Sequence, residues 1–514
     1  MNTKLPQEFL NRIEPVLGDE YDAFLASYEE EAHHALRLNP LKTKLDKAGI
    51  YTQCDVPSPV PWCRTGYYYG DDVRPGKHPY HEAGAYYIQE PSAMFPGELA
   101  GTVIREYIRR KGYVRVLDMC AAPGGKSTHA AGAIGDRGIL VSNEPVPGRA
   151  RILSQNIERM GIKNCLVCVE DPDRIASVFP GFFDVILTDV PCSGEGMFRK
   201  DQTAIDEWSP EGVDNCVIRS RSILDAAHRA LAADGSLIYS TCTFEQAENE
   251  GMIAWFLSTY PGYRVAHVAF AAGTDKTEAI DMPSNARNDL APDDTEEVIK
   301  KEIADTFRLW PHKLRGEGHY AALLTRDEEL TELMLGGSES DEVTGNNRDI
   351  TCKPHIFCPD GSVPKEAMNL LKEFFEDTLT DKGIDGFQGY LFAYGNNVYI
   401  ADEDIARAAT AGDKSKRLKT ERTGLHLGEV KKGRFEPSHA LAMALKPDDC
   451  IRRVELKPDD KEAYDYFEGL SLSCDPAYKG YCAVFIDGCS AGWGKASQGT
   501  LKNHYPKGLR KRLV

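Results

Sequence analysis

The sequence predicts an α/β protein whose centre is a doubly wound, Rossmann-like parallel sheet. Two observations predict it. Between residues 101 and 330, short apolar runs alternate with stretches of helical period, the rhythm of consecutive βαβ units. Three of those runs also lead into strings rich in chemistry. Val114–Leu117 leads into Asp118-Met119-Cys120-Ala121-Ala122-Pro123-Gly124-Gly125-Lys126, Phe183–Leu187 into Asp189-Val190-Pro191-Cys192, and Ser236–Tyr239 into Ser240-Thr241-Cys242. Open α/β sheets keep their ligands at the carboxyl ends of their strands. A glycine-containing loop and two thiols are therefore expected in one cleft.

The elements follow in order. Residues 1–100 form an α/β extension, with helix-period apolar residues from Phe9 to Leu36 and a Pro-, Gly- and Tyr-rich stretch from Val56 to Tyr69. In the central domain, 101–330, strands are expected at Val114–Leu117, Gly138–Ser142, Cys165–Val169, Phe183–Leu187 and Ser236–Tyr239. Helices are expected at Lys126–Ile134, Pro147–Met160 and Val213–Leu231. Asp275–Asp305 reads as an acidic surface insertion, and Tyr320–Thr325 as a closing strand. The Gly/Ser/Asp/Asn-rich stretch within 331–354 is a linker. A small α/β domain, 355–424, and a terminal Gly- and aromatic-containing domain, 425–514, complete the chain.

The chain has 514 residues, 61 basic against 79 acidic, for a net charge of −18. That balance disfavours a non-specific nucleic-acid coat, although phosphate binding depends on local charge. No apolar run is long enough to span a bilayer, and the first residues lack a signal-peptide core. No membrane partner and a cytoplasmic location are expected, with a monomer as the default. Fourteen cysteines in such a chain are read as reduced thiols rather than a disulfide framework.

The segment Cys120, Ala121, Ala122, Pro123, Gly124, Gly125, Lys126 is neither GxGxxG nor a P-loop, because Cys120 stands where a P-loop needs its first glycine. Its small residues let a ligand approach the backbone closely. Glu144, after the second strand, is placed to accept hydrogen bonds from ribose hydroxyls. Asp171, after the third, is placed to face an adenine amino group. The combination suits S-adenosylmethionine better than a dinucleotide. The plainer alternative is a tight βα turn with a solvated acid at each strand end.

Isolated cysteines usually pack as small hydrophobes. That reading is applied to Cys54, Cys63, Cys216, Cys352, Cys358, Cys450 and Cys474. Cys120 is expected to pack rather than react. Cys165 and Cys168 have CxxC spacing but lie in an apolar strand without a second pair, so no metal site is expected.

Together these strings resemble the RNA cytosine-5 methyltransferases of the RsmB/Nop/Sun family, near its RsmF-like branch, which modifies small-subunit ribosomal RNA. Supporting strings flank the core: Arg37-Leu38-Asn39-Pro40, Tyr87-Ile88-Gln89-Glu90-Pro91-Ser92, Arg308-Leu309-Trp310-Pro311-His312 and Gly316-Glu317-Gly318-His319-Tyr320. Gly492-Trp493-Gly494-Lys495 and Asn503-His504-Tyr505-Pro506-Lys507 resemble that branch's PUA-like RNA-binding module. The resemblance implies a class I methyltransferase domain using S-adenosyl-L-methionine, with ribosomal RNA or the small ribosomal subunit as partner. It implies that Cys242 is the nucleophile, that Cys192 assists product release, and that Asp189 stabilises the pyrimidine ring. Residues 120–126, Glu144, Asp171 and Asp189 take the cofactor positions. Val190 departs from the family, which usually has a smaller residue there. Alternatives are the same chemistry on transfer RNA, or an idle RNA-binding assembly factor; the intact Cys242, Cys192 and Asp189 count against the second.

Two basic runs are candidate RNA contacts: 414–434, with eight Lys or Arg against two acids, and 495–512, with six and no acid. Tyr505 and Trp493, within and beside the second run, are expected to stack on bases. Arg199 and Lys200 are expected to bind phosphates beside the target base. Arg109, Arg110 and Lys111 are expected to form the solvated end of a helix.

Overall fold

The computed structural model describes residues 5–43, 51, 57–270, 296–330, 332–335, 356–357, 362–410 and 417–513. Its centre is a nine-stranded sheet. Five parallel strands carry the chemistry: β1 (Val114–Asp118), β2 (Gly138–Asn143), β3 (Cys165–Cys168), β4 (Phe183–Asp189) and β5 (Leu231–Thr241). They lie in the order β3-β2-β1-β4-β5, and the antiparallel strand β6 (His319–Thr325) closes the β5 side. β1–β4 are buried almost end to end. This is why they read as continuous apolar runs: a parallel strand covered on both faces has no solvent side to alternate with.

Helices α1 (Met94–Lys111), α2 (Gly125–Ile134), α3 (Pro147–Arg159), α4 (Pro172–Val178) and α5 (Pro210–Ala230) cover the sheet. Their starts are written locally. Ser209 accepts from the Gly212 amide at 3.1 Å before α5, with Pro210 in the first turn, the standard way to satisfy orphan amides. Arg109, Arg110 and Lys111 end α1 as expected, paired with Glu106, Asp327 and Asp184.

The amino-terminal extension has helices Gln7–Leu17 and Tyr21–Ala26 and a four-stranded sheet. The helical expectation up to Leu36 is corrected, since Ala35–Leu38 is a strand paired with Gly66–Tyr68 and Tyr86–Ile88. Of the expected acidic insertion, 271–295 lies outside the described residues. The rest contains a helix, Glu297–Ile303, whose Ile303 is buried. Residues 336–354 of the expected linker also lie outside the described residues. Glu332–Leu335, just before them, is a strand parallel to His267–Phe270.

The expected division at 424/425 is corrected too. Ile356–Phe357, Gly389–Tyr394, Asn397–Ala401, Leu425–Lys431 and Arg434–Pro437 form one five-stranded sheet, so that boundary cuts through it. Gly424 (φ +63°) makes the corner. A Cβ there would lie 2.6 Å from Ala401 Cβ and from the Ile400 carbonyl oxygen, which only glycine avoids. Before the corner, Thr420–Thr423 pairs antiparallel with β3 and extends the central sheet. The second five-stranded sheet begins at Arg453–Leu456 and ends at Thr500–Asn503. The two modules therefore divide between 437 and 453.

Candidate active site

The three strings meet at the carboxyl edge of β1, β4 and β5. β4 and β5 are neighbours, with Asp189 opposite Ser240. Cys192 and Cys242 leave adjacent strands, and their sulfurs lie 3.3 Å apart. Both are free thiols. The Cys242 amide also points at the Cys192 sulfur, at 3.3 Å. The contact with Cys242 first, then burial and the nearby Glu248 carboxylate, hold the Cys192 thiol well above its ordinary pKa. Cys192 is thus held protonated next to the other thiol.

Asp189 accepts from Ser240 Oγ at 2.8 Å and pairs with Lys126 Nζ at 2.7 Å. Burial pushes the Asp189 carboxyl upward. The Lys126 ammonium, the nearby His319 and the Ser240 hydroxyl outweigh it, so the carboxyl titrates below its usual value. Lys126 likewise stays charged against the cost of its own burial, chiefly through Asp189. Lys126 is therefore engaged by the carboxylate at the end of β4.

On the cofactor side, Gly124 (φ +115°) turns the chain into α2. A Cβ there would lie 3.1 Å from Leu153 Cδ1. The loop is pinned from α3: Asn156 Nδ2 donates to the Pro123 carbonyl (2.9 Å) and Arg149 to that of Ala122 (3.1 Å). Arg149 also pairs with the buried Glu144 at 3.3 Å, so Glu144 and the loop are one unit. Burial first, then the charges of Asp118, Asp189 and Glu144, push the Cys120 thiol well up, and its side chain packs against the apolar cluster on one face of the sheet. This backbone-lined turn at a helix start, with an acid after β2, fits S-adenosylmethionine. Asp171, after β3, is exposed and caps α4, accepting from the Asp173 amide at 3.0 Å.

Several participants were invisible to local sequence reading. Arg37, wholly buried in the extension, donates to Gln89 (3.0 Å), to the Gly125 carbonyl (3.1 Å) and to Thr128 (2.7 Å). It anchors the start of α2 from outside the domain. His319 opens β6, lies 3.2 Å from Ser92 Oγ and is held neutral, mainly by burial and by Lys126, with a pKa of about 4. The string Glu248-Asn249-Glu250 staples the loop after Cys242. Glu248 takes Ser193; Asn249 bonds Thr241 (2.7 Å) and the Thr243 carbonyl (3.0 Å); Glu250 takes Arg308 with two contacts of 2.6 Å. A Glu-Asn-Glu string beginning six residues after a candidate nucleophile was the available signal.

Three RNA-contact expectations are corrected. Arg199 is buried and spent on Glu317 (2.6 Å) and the Ser27 and Gly316 carbonyls. Trp493 and Tyr505 are core residues, 2% and 3% exposed; Trp493 Nε1 donates to the Ser438 carbonyl at 2.8 Å. Neither ring can stack on a base. In the first run Arg422 is also buried, against Glu158 and the Ile162 carbonyl. Cys63, Glu98 and His129 have ligand-like spacing. Arg105 already pairs with Glu98 at 2.8 Å and the Arg37 charge opposes a proton on His129, so a further cation there would meet two guanidinium groups. Among the described residues no helix is long and apolar enough to cross a membrane.

Fold and site together define a Rossmann-like, S-adenosylmethionine-dependent methyltransferase. Residues 109–325 match the family model of the 16S rRNA methyltransferase RsmB/F. Three further models match on either side: the amino-terminal domain of RsmF (5–91), its first carboxyl-terminal domain (373–445) and its PUA domain (453–511). The chain belongs to the RsmB/F family of 16S rRNA methyltransferases. It is 35% identical to ribosomal RNA small subunit methyltransferase F of Escherichia coli O81 (strain ED1a), over 98% of this chain and 96% of that one. It is 28% identical to the protein of that name from Vibrio vulnificus (strain YJ016), over 99% and 98%. A solved methyltransferase homolog from Pyrococcus horikoshii shares the fold, with a TM-score of 0.50 and 23% identity over 62% of this chain and 95% of that one. The last two models meet between 445 and 453, where the sheets also divide.

Proposed function

We propose that this methyltransferase forms 5-methylcytidine in small-subunit ribosomal RNA through a covalent bond between Cys242 and carbon-6 of the target base. The observation that carries this reading is the 3.3 Å approach of the Cys192 and Cys242 sulfurs beside the Lys126–Asp189 pair. S-adenosylmethionine supplies an electrophilic methyl group. Carbon-5 of cytosine is a poor nucleophile until a thiolate adds to carbon-6 and makes it enamine-like. The Cys242 thiolate is assigned that addition. Asp189 is assigned to the ring nitrogen, passing it a proton from the paired Lys126 ammonium as the thiolate adds, so that no net negative charge is left on the ring, and taking that proton back at elimination. Cys192 is assigned the last step: with Cys242 bonded to carbon-6 its hold on the Cys192 thiol is released, that thiol gives its proton to solvent, the resulting thiolate takes the carbon-5 proton, the carbon-6–sulfur bond breaks, and its electron pair returns to Cys242. Gly124, Glu144 and Asp171 are assigned to the methionine, ribose and adenine portions of the cofactor.

The test uses labelled methyl groups with small-subunit particles, protein-free 16S rRNA and transfer RNA. Cys242→Ala should abolish transfer. Cys192→Ala should transfer the methyl but stall, accumulating a protein–RNA complex that survives denaturing electrophoresis. Trapping by Cys242→Ala instead would reverse the roles, and full turnover in both variants would end the covalent reading. Labelling of transfer RNA alone would move the substrate.

A further inference from the structure

The two thiols sit on separate loops, and something must hold those loops in register. Residue 193 follows Cys192, and residue 243 follows Cys242. Ser193 Oγ lies 2.7 Å from Thr243 Oγ1 and donates to Glu248 Oε1 at 2.5 Å, while the Ser193 amide donates to Glu248 Oε2 at 3.1 Å. The hydroxyl of Ser193 is thus a bridge between the two cysteine loops, closed by a carboxyl that is wholly buried. We propose that Ser193 and Glu248 are positioning residues for product release, holding the Cys192 loop so that its sulfur stays over the site of the Cys242 adduct.

The proposal rests on the covalent reading above. The physical argument is one of division of labour. Cys242 is held independently by Asn249, which grips Thr241 and Thr243 from both sides. Loss of the Ser193 bridge therefore frees the Cys192 loop more than the Cys242 loop. Burial, moderated by the two Ser193 bonds, places the Glu248 carboxyl at about 7, and its charge also disfavours a thiolate at Cys192. Glu245, paired with Arg12 at 2.7 Å, and Glu195 are the acids flanking it.

The experiment compares Ser193→Ala, Ser193→Thr and Glu248→Gln with the parent and with Cys192→Ala, on small-subunit particles. It reads single-turnover methyl transfer, steady-state turnover and the amount of denaturation-resistant complex; calorimetric S-adenosylmethionine binding reports folding. Ser193→Ala and Glu248→Gln should slow release by about tenfold or more while slowing transfer far less, because a small misplacement of one reacting group is costly only for the step that group serves. Both should accumulate the trapped complex, and Ser193→Thr, which keeps the hydroxyl, should release it. If Ser193→Ala loses cofactor binding, the near-isosteric Glu248→Gln carries the test. Release at the parental rate, or an equal fall in transfer and release, overturns the proposal while trapping by Cys192→Ala leaves the covalent reading standing. Absence of trapping in Cys192→Ala removes both.

Discussion

Lys126 and Asp189 stabilise each other's charge against the cost of burying both. Truncating one partner of such a pair leaves the other buried and uncompensated. The sign is set by the direction of the shift. The folded-state pKa of Asp189 is lowered, so its charge persists below the ordinary carboxylate range and is lost only as pH falls through that lowered value. Lys126→Met removes the main stabilising charge and should move the acid limb of the kcat–pH profile upward by about 1–3 units, the range for loss of an adjacent opposite charge. An unmoved limb would show that this carboxylate does not govern the rate. Glu144 belongs to the cofactor half. Glu144→Ala should weaken S-adenosylmethionine binding by about 1–3 kcal/mol if the carboxylate accepts ribose hydrogen bonds, and calorimetry showing parental affinity would remove it from the site.

The carboxyl-terminal sheet presents its chemistry on strand edges. Cys489–Ser497 and Thr500–Asn503 are antiparallel neighbours, and Lys495 lies directly opposite Lys502. Both are exposed, as is Lys507. Like charges facing each other across a ladder are destabilising, so a phosphate beside this pair would relieve a repulsion. Lys495→Gln with Lys502→Gln should therefore leave cofactor affinity intact. It should lower the slope of log K for RNA against log salt by about two, close to one unit per lost phosphate contact. The aromatics of the same segment should behave oppositely. Trp493→Ala should cost about 3–5 kcal/mol of stability, as expected for a buried large aromatic, measured by denaturant unfolding. Weakened RNA binding at unchanged stability would instead put the Trp493 ring on the RNA surface.

The two ends of the chain meet. Leu36, Leu38, Tyr80 and Tyr86 of the extension share a hydrophobic cluster with Tyr466, Phe467, Cys482 and Tyr505 of the terminal module. Lys42 Nζ donates to the Ser490 carbonyl at 3.2 Å, Lys511 pairs with Glu82 at 2.6 Å, and Tyr80 donates to Asp487 at 3.0 Å. The PUA module is therefore a structural wall of the enzyme as well as a candidate RNA contact. Removing 446–514 should expose the extension's sheet, lower the thermal midpoint and open the 57–90 segment to protease. A truncated chain that melts with the full-length protein would show that the ends fold independently. The amino-terminal helices also reach the reaction centre: Arg12 pairs with Glu245, and Phe9 and Phe24 pack against Phe198 and Phe244 beside the cysteine loops.

Local sequence was sufficient for the central strands, for three of the helices that cover them (α2, α3 and α5) and for the three loops at their ends, whereas the short helix Pro172–Val178 was not anticipated. Each of these depends on short-range properties: apolar runs, helical period, proline and glycine at turns. The convergence of Cys192, Cys242, Asp189 and the Gly124 loop also follows once the parallel topology is granted, because strand carboxyl ends share one edge. Burial of polar and aromatic side chains did not follow. Arg199, Trp493 and Tyr505 look like ligand contacts in a linear string. Their partners, Glu317, the Ser438 carbonyl and the Glu82 region, are 118, 55 and 423 residues away. The Ser193–Glu248 bridge and the Arg37 anchor spanning 88 residues to Gly125 were hidden for the same reason. So was the boundary misplaced at 424, where the chain passes at Gly424 from a strand of the central sheet directly into a strand of the next. A periodicity window registers which face a residue prefers, whereas the contact that neutralises a charge or covers a ring is set by which distant segments the folded chain brings together.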